Sequence, residues 1–289
     1  MKNYRGIKQI IKGIPASDGD GVQLSRVIGT SQLSHIDPFL LLDAFGSDKP
    51  QDYIGGFPSH PHRGFETVTY MLAGKMRHKD SAGNEDVIEA GGVQWMTAGS
   101  GIIHSEMPEQ KDGLLAGFQL WVNLPAAHKM DEPRYQEYAK EQISIETRGE
   151  SCTIFVIAGE TKNGTKGVIE NEFVSPVYWD IYLKAGAHLT EKIPPNHNAF
   201  IYLYEGNISI EKDNQNDEST TIKAIDKGEL AILDNGEVLS IVANADSRFL
   251  LIAGRPLNEP IERAGPFVMN TKEEIQQAFD DYRLGLLAV

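Results

Sequence analysis

FETVTYMLAGKM, residues 65–76, decides the fold class. It is a run rich in Thr, Val, Tyr and Phe that stops at Gly74 and starts again, which reads as a strand, a tight turn and a second strand. Runs of the same kind follow along the chain, among them VQWMTA (93–98), GFQLWVNL (117–124), TIFVIAG (153–159), VYWDIYLKAG (177–186), ELAILD (229–234) and RFLLIAG (248–254). Short strands at this spacing, parted by Gly, Asn or Asp, predict a mainly β protein built from antiparallel barrels or sandwiches. The opening run also has an echo. NAFIYLYEGNIS (198–209) repeats its strand, glycine and strand, and IEAGGVQWM (88–96) is matched by IDKGELAIL (225–233). The chain therefore reads as a duplication.

Helical periodicity is confined to TKEEIQQAFDDYRLG (271–285). Thr271 with Glu274 makes a capping box, Ile275, Ala278, Phe279 and Tyr282 share a face, and Gly285 supplies the stop. A length of 289 residues suits one large domain or two of roughly 140. The charged, aperiodic stretch 125–150 divides the strands into two comparable sets, so the expected domains are 1–135 and 136–289.

Composition excludes several function classes. With 27 Lys and Arg against 41 Asp and Glu, the net charge of −14 repels a phosphate backbone, which argues against direct nucleic-acid binding. The longest apolar runs fall short of the roughly 20 residues of a membrane-spanning helix. The N-terminal stretch is broken by Lys8, Gln9 and Lys12 and lacks the apolar core of an export signal. A single cysteine, Cys152, sits in an apolar run as a small core residue and fits a reducing, cytoplasmic address.

Chemistry concentrates just before the opening run, in SHPHRGFE (59–66). Residues two apart in a strand point to one side, so His60 and His62 project together, and Pro61 suits an edge or a strand start. A second pair of the same spacing, His104 and Glu106, follows the Gly99–Gly101 turn. If two strands carry both pairs inward, three imidazoles and a carboxylate converge on one ion. Glu66 has the strand parity of His60 and His62 and is an alternative ligand, or a neighbour that orients a ligand histidine. Nitrogen and oxygen donors without thiolate suit Fe, Mn, Ni, Cu or Zn, and affinity alone does not single out iron.

GGFPSHPHRGFETVTYMLAG, GGVQWMTAGSGIIHSEM, LWVNLP, GPFVMNTKEEI and the early DPFLLLDAFG resemble the pirin family, two-domain members of the cupin superfamily. The resemblance runs over nearly the whole chain. It implies two cupin-type, jelly-roll-like antiparallel β-barrels with a C-terminal helix. The first would hold one Fe(II) through His60, His62, His104 and Glu106, with Glu66 outside the ligand set, and the second would be metal-free. It also implies quercetin 2,3-dioxygenase activity, in which O2 opens the central ring of a flavonol and carbon monoxide leaves, with Glu106 as the catalytic base. Phe57, Met76 and His78 are the candidates for the substrate pocket. The family's other known role, a non-enzymatic regulator working through protein partners and iron redox state, needs the same ligands.

Overall fold

The computed structural model describes residues 3–214 and 219–288. The chain divides into two compact units, Ile14–Gln142 with Leu257–Val289, and Met1–Gly13 with Ile143–Pro256. The division differs from a cut at 135/136 because the strand Arg134–Tyr138 spans that point and pairs along its whole length with Val93–Thr97. Each terminal segment also joins the unit remote from it in sequence. Ile7–Lys12 is recruited by backbone pairing to Glu229–Leu233, a contact that no local pattern announces.

Each unit is a pair of open antiparallel sheets, one of seven strands and one of four, rather than a single closed barrel. In the unit containing the histidine pairs, the large sheet runs Arg134–Tyr138, Val93–Thr97, Phe65–Ala73, Leu115–Asn123, Phe39–Ser47, Val22–Ile28, Ile14–Asp18. Its small sheet runs Phe57–His62, Ile102–Pro108, Lys75–Asp80, Glu85–Glu89. Leu24, Phe45, Met71 and Leu115 of the large sheet pack on Met76 and Ile88 of the small one. Each such side chain taken fully out of water contributes roughly 1.5–3 kcal/mol, which is what holds the two layers together.

The second unit repeats this plan. Its large sheet runs Ile7–Lys12, Glu229–Leu233, Asn198–Glu205, Ser247–Gly254, Val177–Leu183, Cys152–Ala158, Ser144–Arg148. The echoed segments thus hold matching places, Phe65–Ala73 with Asn198–Glu205 and Val93–Thr97 with Glu229–Leu233. Cys152 is buried among the apolar side chains of this unit, and burial pushes its thiol up to about 11.

The C-terminal helix Lys272–Arg283 carries the expected cap: the Thr271 hydroxyl accepts from the Glu274 amide, and the Glu274 carboxylate accepts from the Thr271 amide. Ile275 and Ala278 are buried, while Tyr282 is exposed. Among the described residues no helix is long and apolar enough to cross a membrane.

Candidate metal centre

The strand Phe57–His62 lies at the edge of the four-stranded sheet, where Pro58 and Pro61 can lack amide hydrogens without breaking a ladder between two neighbours. Its partner Ile102–Pro108 is antiparallel, with His104 opposite His60 and Ile102 opposite His62. Strand alternation turns His60, His62 and His104 to one side, and one ring nitrogen from each lies within 4.8 Å of the others. The rings pack closely, with centroids 4.3 Å apart for His60 and His104 and 5.0 Å for His62 and His104. Directly after His62, Gly64 turns the chain with φ +86°. A Cβ there would lie 2.0 Å from the Val268 carbonyl oxygen, so only glycine fits.

Hydrogen bonds fix which nitrogen each ring presents. His60 Nδ1 donates to the Pro58 carbonyl at 2.8 Å and His62 Nδ1 to the Pro266 carbonyl at 3.2 Å. A carbonyl can only accept, so both Nδ1 atoms carry hydrogen, and Nε2 is the atom through which either ring can serve a metal ion. Those two Nε2 atoms sit 3.1 Å apart. Burial, then the neighbouring charges of His60 and Arg263, depress His62 to about 3, and burial holds His104 well below its ordinary value. Both ring nitrogens of the buried His104 lack a hydrogen-bond partner. Lone pairs held this close in a desolvated site are stabilised by a shared cation, so the donor set fits a divalent metal ion.

The structure brings together three of the four expected ligands. Glu106 is buried and lines the same cavity, but its carboxylate is engaged elsewhere: Oε1 accepts from the Thr69 hydroxyl at 2.8 Å and Oε2 from Gln119 Nε2 at 3.2 Å. Glu66 is differently placed from the parity expectation. The turn at Gly64 restarts the alternation, so Phe65 and Thr69 face His62 and Glu106 while Glu66 points to the opposite face and accepts from Thr97 at 2.8 Å. Orienting the histidines falls instead to the carbonyls of Pro58 and Pro266.

His60 and His62, with Glu106, line a cavity of about 650 Å³, and His104 lies behind them outside its wall. Phe57 lines it as expected, but Met76 and His78 do not: Met76 is 2% exposed in the apolar core between the sheets, and His78 is wholly buried against Asp80. Most of the wall escaped the sequence reading, including Trp121 and Arg263. Trp121 stands edge-on to His62 with centroids 5.1 Å apart, and the Arg263 guanidinium lies 4.5 Å above the Trp121 ring. Trp121 and Gln119 share a face by strand spacing, which is a usable signal once the inward side of GFQLWVNL is known. Arg263 and Pro266 come from the C-terminal strand pair Glu262–Ala264 and Phe267–Met269 with its turn, and no local pattern marks them. This segment is anchored by buried Lys129, whose ammonium donates to Gly64, Asn123 and Val268, and by an ion pair of buried Arg63 with Asp281 at 2.6 Å.

The register of the second unit explains its different chemistry. There Leu239 stands opposite Glu191 and Ile241 opposite Leu189, as Ile102 stands opposite His62 and His104 opposite His60. The places of His60, His62, His104 and Glu106 are thus taken by Leu189, Glu191, Ile241 and Ala243. All but Glu191 belong to the apolar core, and Glu191 pairs with Arg148.

Comparison with known proteins agrees with this architecture. A family model described as Pirin matches residues 21–122, and one described as Pirin C-terminal cupin domain matches residues 178–288. A pirin-like protein of Caulobacter vibrioides is 49% identical over 281 residues, covering 97% of this chain and 98% of its own. Human pirin is 42% identical over 271 residues, covering 92% and 88%. The crystal structure of a quercetin 2,3-dioxygenase from Acinetobacter baumannii superimposes with a TM-score of 0.88 at 35% identity, over 98% of both chains.

Proposed function

The chain belongs to the pirin family of two-domain cupins, and from that premise we propose that it is a metal-dependent dioxygenase that opens the central ring of a flavonol with O2 and releases carbon monoxide. The observation that carries this reading is a cluster of three imidazoles, two of them buried, set against a cavity whose wall includes His60, His62, Phe57 and Trp121. His60, His62 and His104 would hold one ion, with Glu106 as fourth ligand, and Fe(II) is the metal we assign from the family resemblance. When bound, the ion supplies a Lewis acid that stabilises the 3-oxygen of the flavonol as an oxyanion.

The chain's own residues do the rest. The Glu106 carboxylate lines the cavity beside the histidines and accepts the proton of the 3-hydroxyl. Thr69 and Gln119 hold it in place until then. Phe57 and Trp121 offer flat faces for an aromatic ring, and Leu24, Leu41 and Phe45 exclude water behind it. A volume of about 650 Å³ falls within the roughly 300–1,000 Å³ usual for small-molecule sites. Arg263, stacked on Trp121, presents a cation to an anionic oxygen at the far end of the substrate.

The test is anaerobic loading with Fe(II), then quercetin and air. Loss of the flavonol absorbance with release of carbon monoxide is expected. No turnover with any of Fe, Mn, Ni, Cu or Zn overturns the enzyme reading and leaves the regulator role through protein partners.

A further inference from the structure

Two of the three clustered histidines have a built partner for the ring nitrogen turned away from the ion: His60 has the Pro58 carbonyl and His62 the Pro266 carbonyl. His104 has none. Both of its nitrogens are buried and unpartnered, and a metal ion can use only one of them. The other, carrying hydrogen, needs an acceptor, because a buried N–H without one costs about 1–3 kcal/mol. Ligand histidines meet this need through a carboxylate, a carbonyl or a water, which also sets their tautomer and basicity.

The neighbouring strand Lys75–Asp80 supplies an acceptor. It pairs with Ile102–Pro108 so that Asp80 lies opposite His104 and His78 opposite Glu106. His78 is 0% exposed, and its ring centroid lies 5.3 Å from that of His104, so the rings are direct neighbours with no hydrogen bond yet made between them. His78 Nε2 meets Asp80 Oδ2 at 3.0 Å. A carboxylate accepts, so Nε2 carries a hydrogen; in the neutral ring Nδ1 then keeps a lone pair, and that Nδ1 is itself buried and unpartnered. Asp80 is fixed in turn by the Asn84 amide at 3.0 Å and the Asn84 side chain at 2.9 Å. A donor in want of an acceptor thus lies beside an acceptor in want of a donor, with an anion behind it.

The geometry points to His78 and Asp80 as a positioning pair for the metal ligand His104: His78 accepts the free ring N–H of His104, directly or through one water, and relays the Asp80 negative charge to the metal-bearing imidazole. The inference rests on the metal centre proposed above. It gives His78, which lines no part of the substrate cavity, a role inside the sheet pair. The Tyr135 ring, 5.1 Å from His78, packs against the same imidazole.

The experiment measures Fe(II) affinity of the full chain by anaerobic competition with a coloured chelator, in wild type, Asp80→Asn, His78→Phe and the double variant. Each single variant is expected to bind 10–100-fold more weakly, the usual effect of removing such a partner. Because Asp80 acts through His78, the double variant binds no more weakly than His78→Phe alone, a non-additivity that general loosening of the fold does not produce. His78→Phe leaves the Asp80 bonds to Asn84 in place, so it decides the matter if Asp80→Asn does not fold. Pulsed electron–nuclear spectroscopy of the Cu(II)-substituted protein should count the same coordinated imidazoles in His78→Phe as in wild type. Affinities within twofold of wild type, additive losses, or one imidazole fewer in His78→Phe would each overturn the pair. Wild type without measurable Fe(II) affinity would instead overturn the metal centre itself.

Discussion

Replacing Thr69 by valine tests whether Glu106 must leave one set of partners to join another. Thr69 is 1% exposed, and its single hydroxyl proton is shared between the Glu106 carboxylate, 3% exposed, at 2.8 Å and the Gln119 side-chain oxygen at 2.6 Å. A buried hydrogen bond to a charged acceptor contributes about 1.5–3 kcal/mol, and valine keeps the volume while removing the donor. The metal-free variant should therefore lose about 2 kcal/mol, lowering Tm by about 4–8 °C. Glu106 stands outside the group of ring nitrogens that lie within 4.8 Å of one another, and the reading under test is that coordination draws its carboxylate off Thr69. On that reading the lost Thr69–Glu106 bond weakens only the free state, and the same 2 kcal/mol reappears as Fe(II) affinity tightened about 30-fold. Thermal unfolding of metal-free protein and anaerobic chelator competition measure the two halves of this cycle. A lower Tm with unchanged or weakened affinity would refute the reasoning, because Thr69 would then support Glu106 equally in both states.

Acid should destabilise the metal-free protein through its buried imidazoles. His62 is depressed to about 3 and His104 well below its ordinary value, chiefly by burial, so below about pH 6.5 the unfolded chain binds more protons than the folded one. Stability should fall by up to about 1.4 kcal/mol per pH unit for each group, read as a lower urea midpoint at pH 5.5 than at 7.5, and a constant midpoint would contradict it. Arg263→Gln, which removes the cation over Trp121 at the cavity wall, should raise KM for a flavonol about 5–30-fold with kcat within twofold. An equal loss in kcat would place Arg263 in the chemical step instead.

Much of the architecture was legible because its causes are local. Alternation in FETVTYMLA and its echo NAFIYLYE marks strands that occupy matching places in the two large sheets, and the capping box of Thr271 and Glu274 starts the helix where the pattern says. The i, i+2 spacing of His60 with His62 turns two imidazoles to one side whatever lies further off. Glu66 escaped that logic because parity survives only while the chain stays extended, and the left-handed turn at Gly64 resets it. Glu106 has the right spacing from His104, yet its carboxylate answers to Thr69 and Gln119, donors on two other strands.

By itself, then, the sequence determined which segments become strands, where the helix begins and which imidazoles form a pair, since backbone sterics and side-chain alternation act over a few residues. Only the tertiary structure decided what surrounds those imidazoles. Pro266 reaches His62 from a segment 204 residues away, Arg263 covers Trp121 from the same segment, and His78 meets His104 through a cross-strand register. Such contacts depend on which surfaces the packed sheets bring together, and the burial that creates them also sets the protonation of His62 and His104.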